Sequence, residues 1–364
     1  MRLVVKLGSS LVTAKNGIDS HLIKKIADEI CSLSEHDFVI VTSGAISTGM
    51  RKLGIKEKPR DIALHQALAA VGQGSLMRAY ERIFADRKIL AQVLLTNNDF
   101  CNRLQYLNIQ HTLNMLISKH VVPIINENDT VTAQDIKKVA FGDNDSLAAQ
   151  VAVAIDADML IILTDVDGLY DRNPKDSQAK LIREVNDFDD AFLESACSTC
   201  GELGRGGMSA KVKAAKMATL GDVKVIVAKG TEINVIKKTI NHEVGTAFYP
   251  PKNNDQLSAH KNWIAFASEI KGKIFVKGST ETTCNLTSVV LPSEVVSAEG
   301  DFEKGDVVEV ICNEKRIARG MSNYSVYDLN RVKGLEENDI FKILGYAYRE
   351  VISQSNLVKT NGKH

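Results

Sequence analysis

The first two-thirds of the chain alternate between short apolar runs and longer stretches in which apolar positions recur three and four residues apart. Residues 3–7, 38–42, 91–95, 121–125, 159–164 and 223–228 are the apolar runs, with the length and aliphatic composition of buried strands. Between them, residues 21–32, 61–87, 102–118 and 208–220 carry helical spacing. This alternation predicts an open, mainly parallel sheet with helical layers on both faces. Right-handed crossovers then gather the functional loops at one edge of the sheet.

The rhythm stops at Pro250-Pro251-Lys252-Asn253-Asn254-Asp255, which marks a boundary. Beyond it, Trp263-Ile264-Ala265-Phe266 reads as an apolar anchor, and three short β-rich runs follow at 273–276, 307–311 and 340–344. They predict a small β-barrel-like domain. The expected division is 1–250 for the α/β domain, 251–269 for a linker, 270–350 for the small domain and 351–364 for a polar tail. A chain of 364 residues is too long for one average core, which agrees with two domains.

Charge removes several functions. Lys plus Arg number 45 and Asp plus Glu number 45, so no global field draws the chain to nucleic acid or to a membrane surface. No apolar run reaches the length of a membrane span, and the N-terminus has no signal-peptide layout. Six scattered cysteines fit a reducing compartment better than a disulfide framework, so the expected location is the cytoplasm. Cys197 and Cys200 form a lone CxxC with no second pair of zinc ligands nearby, and read as two loop cysteines.

The chemistry concentrates where strands end. The run ending at Ile125 gives way to Asn126-Glu127-Asn128-Asp129, and Gly142-Asp143-Asn144-Asp145 opens an alanine-rich helix over 146–154. Polar side chains crowded at a strand end are costly to bury without a task, and small ligands bind at that edge of open α/β sheets. Asp and Asn together suit a small zwitterion, accepting from its ammonium and donating to its carboxylate.

Four other segments point to phosphate. Lys6-Leu7-Gly8-Ser9 ends the first strand, and Ser43-Gly44-Ala45 ends the second and opens a helix. Both could bring backbone N–H groups close to an anion. Gly204-Arg205-Gly206-Gly207-Met208-Ser209-Ala210-Lys211 joins a glycine loop to a helix start with a lysine in its first turns. It is neither a Walker A loop nor a Rossmann fingerprint. Thr164 and Asp165 close a buried strand where a nucleotide could be contacted, or where Asp165 simply caps a turn. Phosphoryl transfer needs positioning and charge neutralisation more than covalent chemistry. Two lysines flanking the transferred group, with an aspartate between them, would meet that need.

In order along the chain, VVKLGSS, VTSGAIS, INENDTV, FGDNDSLAA, ILTDVDGLY and GGMSAKVKAA resemble the glutamate 5-kinase family of the amino acid kinase superfamily. INEND followed by GDND is specific to that family and its fused eukaryotic relatives, whereas VKLGSS and ILTDVDGLY support only the superfamily. GDFEKGDVVEV and IARGMSNYS resemble pieces of a PUA domain. The resemblance implies a three-layer αβα sandwich around an eight-stranded sheet, with the small β-barrel-like PUA domain behind it. It also implies ATP-dependent phosphorylation of the L-glutamate side-chain carboxylate, the first step of proline biosynthesis, with feedback inhibition by proline.

By that resemblance, Lys6 and Lys211 neutralise the phosphoryl group in flight, Asp145 orients both lysines, and Gly8 and Gly44 donate backbone N–H groups. Ser43, Asn126, Asp129, Asp143 and Asn144 hold glutamate. Lys6, Thr164, Asp165, Arg205, Gly206, Gly207, Met208, Ser209, Ala210 and Lys211 line the ATP site. Mg²⁺ travels with the nucleotide, and no protein metal ligands are expected. Relatives are dimers or tetramers, and a reductase that collects the labile acyl phosphate is a possible partner. Two alternatives stay open: a kinase with another acceptor (acetylglutamate, aspartate or carbamate), and an RNA-associated protein acting through the PUA domain. Residues 270–350 hold 11 Lys/Arg against 13 Asp/Glu, so RNA is the minor reading.

Overall fold

A computed structural model describes residues 1–14, 17–57, 59, 61–131, 144–172, 176, 178–186, 207–251, 261, 264–265, 270–278 and 289–359. The chain forms two compact units, Met1–Asp99 with Leu107–Gln256, and Phe100–Tyr106 with Leu257–His364.

The first unit is built on eight strands: β1 (Arg2–Leu7), β4 (Asp37–Val41), β5 (Leu90–Leu95), β6 (Val122–Glu127), β7 (Met159–Thr164), β8 (Glu184–Val185), β9 (Lys224–Lys229) and β10 (Thr246–Phe248). Their order across the sheet is β5-β6-β4-β1-β7-β9-β10-β8. All pairings are parallel except β9 with β10. A two-stranded hairpin, β2 (Thr13–Ala14) with β3 (Gly17–Ile18), stands apart. The chain's helices before the small domain are α1 (Ser9–Val12), α2 (Ser20–Ser32), α3 (Ala45–Lys52), α4 (Ile62–Phe84), α5 (Asn97–Cys101), α6 (Arg103–Ser118), α7 (Asn144–Ala154), α8 (Met208–Leu220) and α9 (Val235–Ile240).

Strand alternation sorts the sheet's two faces. Leu3, Val5 and Leu7 of β1, Phe38 and Ile40 of β4, and Val122 and Ile124 of β6 pack into one core with α2, α4 and α9. Lys6 therefore belongs to the opposite face, where α7 and α8 pack. Helix starts follow their sequence signals. The Asp19 and Asp61 side chains accept from Leu22 N and Leu64 N, capping α2 and α4. Two glycines let α3 and α4 touch backbone to backbone. A Cβ on Gly72 would sit 1.8 Å from Ala45 O, and one on Gly49 would sit 1.9 Å from Leu68 O.

The eight-stranded, mainly parallel sheet between helical layers is the expected architecture. Strands β8 and β10, of two and three residues, escaped the sequence reading because their apolar runs are too short to register.

The second unit holds a five-stranded sheet in the order β12-β11-β13-β14-β15, with β11 (Ile270–Val276), β12 (Val295–Gly300), β13 (Val307–Cys312), β14 (Lys315–Met321) and β15 (Leu357–Lys359). Two short helices, α10 (Val326–Val332) and α11 (Glu337–Leu344), complete it. Residues 340–344, expected to be β-rich, are instead the end of α11. Ile340 points into the core while Phe341 and Ile343 are exposed, and Gly345 ends the helix at φ 75°. The expected polar tail also differs. Val351 and Ile352 are fully buried, and Leu357–Lys359 pairs with β14, so the barrel continues to Lys359. Among the described residues Cys31 and Cys101 are free and Cys312 is disulfide-bonded. No helix among the described residues is long and apolar enough to cross a membrane.

Candidate active site

The carboxyl ends of β1, β4, β6 and β7 meet the first turns of α3, α7 and α8 along one edge of the sheet. On the α7–α8 face, three charged side chains converge. Lys6 Nζ lies 2.5 Å from Asp145 Oδ1, and Lys211 Nζ lies 3.1 Å from Asp145 Oδ2. Lys211 also donates to Gly207 O at 3.4 Å, across the first turn of α8. All three side chains are buried. Burial pushes the Asp145 carboxyl up, but the Lys6 and Lys211 ammonium groups outweigh it and hold the carboxyl below the ordinary carboxylate range. Among the described residues, one carboxylate thus lies between two ammoniums in a dry setting. Two ammoniums held this close suit an anion.

Backbone groups flank this centre. Gly8 N donates to Leu163 O at 3.2 Å, tying the turn after β1 to β7. Gly44 sits at the N-cap of α3 with φ 97°, a left-handed conformation that favours glycine. A Cβ there would also press on Thr13 and Val12, at 3.0 and 3.2 Å.

On the α4 side, neutral polar side chains form a connected network. Asn144 Nδ2 lies 2.6 Å from Thr42 O, 3.0 Å from Ser43 Oγ and 3.1 Å from Asn126 Oδ1. Asn126 Nδ2 donates to Gln73 Oε1 at 2.9 Å, and Thr42 Oγ1 pairs with the Tyr80 hydroxyl at 2.8 Å. Ser43 Oγ donates to Leu7 O at 3.2 Å. Asp129, in the turn after β6, is half-buried, and burial pushes its carboxyl up to about 6.

At the end of β7, Thr164 is buried and donates from Oγ1 to Asp165 Oδ1 at 3.0 Å, while Asp165 itself is exposed. Gly207, Met208, Ser209 and Ala210 are half-buried at the start of α8. The structure thus brings Lys6, Asp145 and Lys211 into contact, and joins Ser43, Asn126 and Asn144 in one network. Asp143, Arg205 and Gly206 lie outside the described residues, as do Cys197 and Cys200. Gln73 and Tyr80 carry no expectation from the sequence, and Thr42 entered only as the start of the turn after the second strand. A usable signal existed: Gln73 is a polar residue on the buried stripe of α4 that includes Leu68, Ala69, Leu76, Met77 and Tyr80.

Comparison with known proteins identifies both domains. The amino acid kinase family model matches residues 1–229, and the PUA domain model matches residues 272–344. The glutamate 5-kinase of Thermoanaerobacter sp. (strain X514) is 46% identical over 367 residues, covering 98% of this chain and 97% of that protein. That of Caldanaerobacter subterraneus subsp. tengcongensis is 43% identical, with the same coverage of each chain. The glutamate 5-kinase of Methanosarcina acetivorans is 37% identical over 98% of this chain and 95% of its own length. A kinase domain of this fold, a PUA domain following it in the sequence and 46% identity over 98% of the chain lead to one assignment: the chain belongs to the glutamate 5-kinase family of amino acid kinases.

Proposed function

We propose that the chain transfers the γ-phosphoryl group of ATP to the side-chain carboxylate of L-glutamate, giving L-glutamyl 5-phosphate and ADP. The observation that carries this reading is the doubly clamped Asp145, which holds two buried lysine ammoniums at the strand ends. A carboxylate oxygen of glutamate attacks the γ-phosphorus, and the bond to the bridging β,γ-oxygen breaks. Charge accumulates on the transferred oxygens and on the departing ADP. Lys6 and Lys211, on opposite oxygens of one carboxylate, neutralise that charge from two sides. Asp145 aims both ammoniums. The Gly44 N–H supplies a further donor, whereas the Gly8 N–H, expected to do the same, is engaged by Leu163 O at 3.2 Å.

Ser43, Asn126, Asp129, Asp143 and Asn144 hold the amino acid, with Asp129 opposite its ammonium. Thr164, Asp165 and the 205–211 segment serve the nucleotide. Both Asp145 oxygens are already engaged by lysines, and no cluster of three His, Cys, Asp or Glu among the described residues could hold a metal. This donor set fits an Mg²⁺ held by the nucleotide's own phosphates, where it would offset their negative charge. The activity places the enzyme in the cytoplasm at the first step of proline biosynthesis. Proline acts as a competitive inhibitor at the glutamate end, the enzyme is a homo-oligomer, and the labile product passes to a reductase.

Trapping the acyl phosphate with hydroxylamine tests the reaction. Glutamate- and ATP-dependent hydroxamate, suppressed by proline, is the expected result. ADP release with another acidic acceptor, but none with glutamate, would overturn the substrate assignment.

A further inference from the structure

The network around Asn144 leaves α4 at one residue and returns to it at another. Tyr80 and Gln73 are seven residues apart, two helical turns or about 10 Å along one face of α4. From Tyr80 the path runs to Thr42, from the Thr42 carbonyl to Asn144 Nδ2, from Asn144 Nδ2 to Asn126 Oδ1, and from Asn126 Nδ2 to Gln73 Oε1. Asn126, Asn144 and Gln73 are each at least nine-tenths buried. The ring bridges the two helical layers across the strand ends, because α4 covers one face of the sheet and α7 the other.

A primary amide has a donor end and an acceptor end, so each amide in such a chain constrains the next. The polarity is fixed at Thr42, whose main-chain oxygen can only accept. Asn144 must turn Nδ2 toward it. The two hydrogens of that Nδ2 are shared among Thr42 O, Ser43 Oγ and Asn126 Oδ1; a second donor amide could not face it, so Asn126 turns its oxygen there and its Nδ2 to the far side. There it needs an acceptor, and Gln73 Oε1 supplies one. Two atoms at the ends of the relay, Asn144 Oδ1 and Gln73 Nε2, are buried and have no partner among the described residues. A buried acceptor left open beside Asp145 calls for a donor group on a ligand.

We propose that Gln73 is a positioning residue for the acceptor-substrate end of the site: its Oε1 fixes the orientation of the Asn126 and Asn144 amides and so presents Asn144 Oδ1 to a donor on the substrate. The substrate class is an amino acid with a free ammonium group. This rests on the reading that Asn126 and Asn144 face the glutamate. Gln73 acts through Asn126 and need not touch the substrate.

The test compares Gln73→Met, which keeps the side chain's length but removes its acceptor, with Gln73→Glu, which keeps a carbonyl oxygen whether or not it is protonated. Gln73→Met is expected to raise the KM for glutamate on the order of tenfold, as one buried donor loses its partner, with the KM for ATP unchanged. Gln73→Glu is expected to restore most of that affinity. Should Gln73→Met fail to fold, Gln73→Asn withdraws the acceptor by one methylene and is expected to show the same selective rise. Thermal melting of each variant accompanies the kinetics. A lowered melting temperature with an unchanged KM for glutamate would reduce Gln73 to a packing residue and overturn the proposal. The wild type and Asn144→Ala separate this failure from a wrong substrate assignment. If glutamate is turned over and Asn144→Ala raises its KM while both Gln73 variants leave it untouched, only the Gln73 proposal falls. If the wild type does not turn glutamate over, the substrate assignment itself fails.

Discussion

Lys6 Nζ lies 2.5 Å from Asp145 Oδ1, with the two side chains only 7% and 3% exposed. A buried ion pair this close is a specificity device more than a source of net stability, since desolvation cancels much of the attraction. Here Lys211 takes the other carboxylate oxygen, at 3.1 Å.

Removing either lysine should therefore cost catalysis more than binding. Lys6→Ala or Lys211→Ala is expected to lower kcat by roughly a hundredfold or more, about 3–4 kcal/mol of transition-state stabilisation each. Steady-state kinetics check this, and an unaltered kcat in Lys211→Ala would remove the clamp from the mechanism. Asp145→Ala leaves two like charges buried together and is expected to destabilise the free enzyme by about 3–5 kcal/mol in urea. The acid limb follows from the same carboxylate. Its folded-state pKa is depressed, so its stabilisation is complete above the unfolded value near 3.8 and disappears as the pH falls through the lower folded value.

Asp129 gives the opposite sign. Burial raises its carboxyl to about 6, so the folded protein loses stability as the pH rises from the unfolded value of 3.8 to about 6, and the penalty is constant above that. An ammonium ligand needs the charged form. Below pH 6 the KM for glutamate should rise by up to about tenfold per pH unit, while the KM for ATP stays level. Asp129→Asn should flatten that profile at a uniformly weaker affinity. A pH-independent KM in the wild type would detach Asp129 from the ammonium.

Gly72 holds α4 against the first turn of α3. A Cβ there would lie 1.8 Å from Ala45 O and 2.6 Å from Gly49 N, both backbone atoms of α3 that cannot rotate away. Gly72→Ala should force the helices apart, costing about 1–3 kcal/mol of stability, and should displace the Ser43–Gly44 turn from which α3 starts. A fall in both melting temperature and activity is expected. Gly74 has nothing within 4 Å of its would-be Cβ, so Gly74→Ala on the same helix is the control and should be neutral or slightly stabilising.

Truncation after residue 350 tests the end of the small domain. It removes the buried Val351 and Ile352 and the strand that pairs with β14. Limited proteolysis should then cut within residues 270–350 faster than in the intact chain. Equal resistance in both chains would show that the last strand contributes little.

The central elements of the fold were legible because their signals are local. A strand buried on both faces must be a continuous apolar run, as in β1, β4, β6 and β7, and α2 and α4 carry their own capping aspartates. The site segments were legible for a related reason: Asn126, Asn144, Asp145 and Lys211 are polar residues where a strand ends or a helix begins, and burial there without function is costly. Residues 340–344 misled because five residues of mixed apolar character do not distinguish a strand from one helical turn; the αL glycine at 345 decides it, and only the backbone shows that angle. Composition likewise could not reveal that Val351 and Ile352 are core, since a short apolar pair before a polar end becomes a strand neighbour only when β14 is there to receive it.

The sequence by itself determined the alternation of strands and helices, the edge at which polar residues collect, and the family. Only the tertiary structure decided which of those residues touch. Lys6 and Lys211 reach one carboxylate because β1, α7 and α8 pack on a single face of the sheet, and Gln73 meets Asn126 because α4 lies on the other. Such contacts join residues 53 to 139 positions apart. No local preference encodes them, because they exist only after the sheet's register and the helix packing are fixed together.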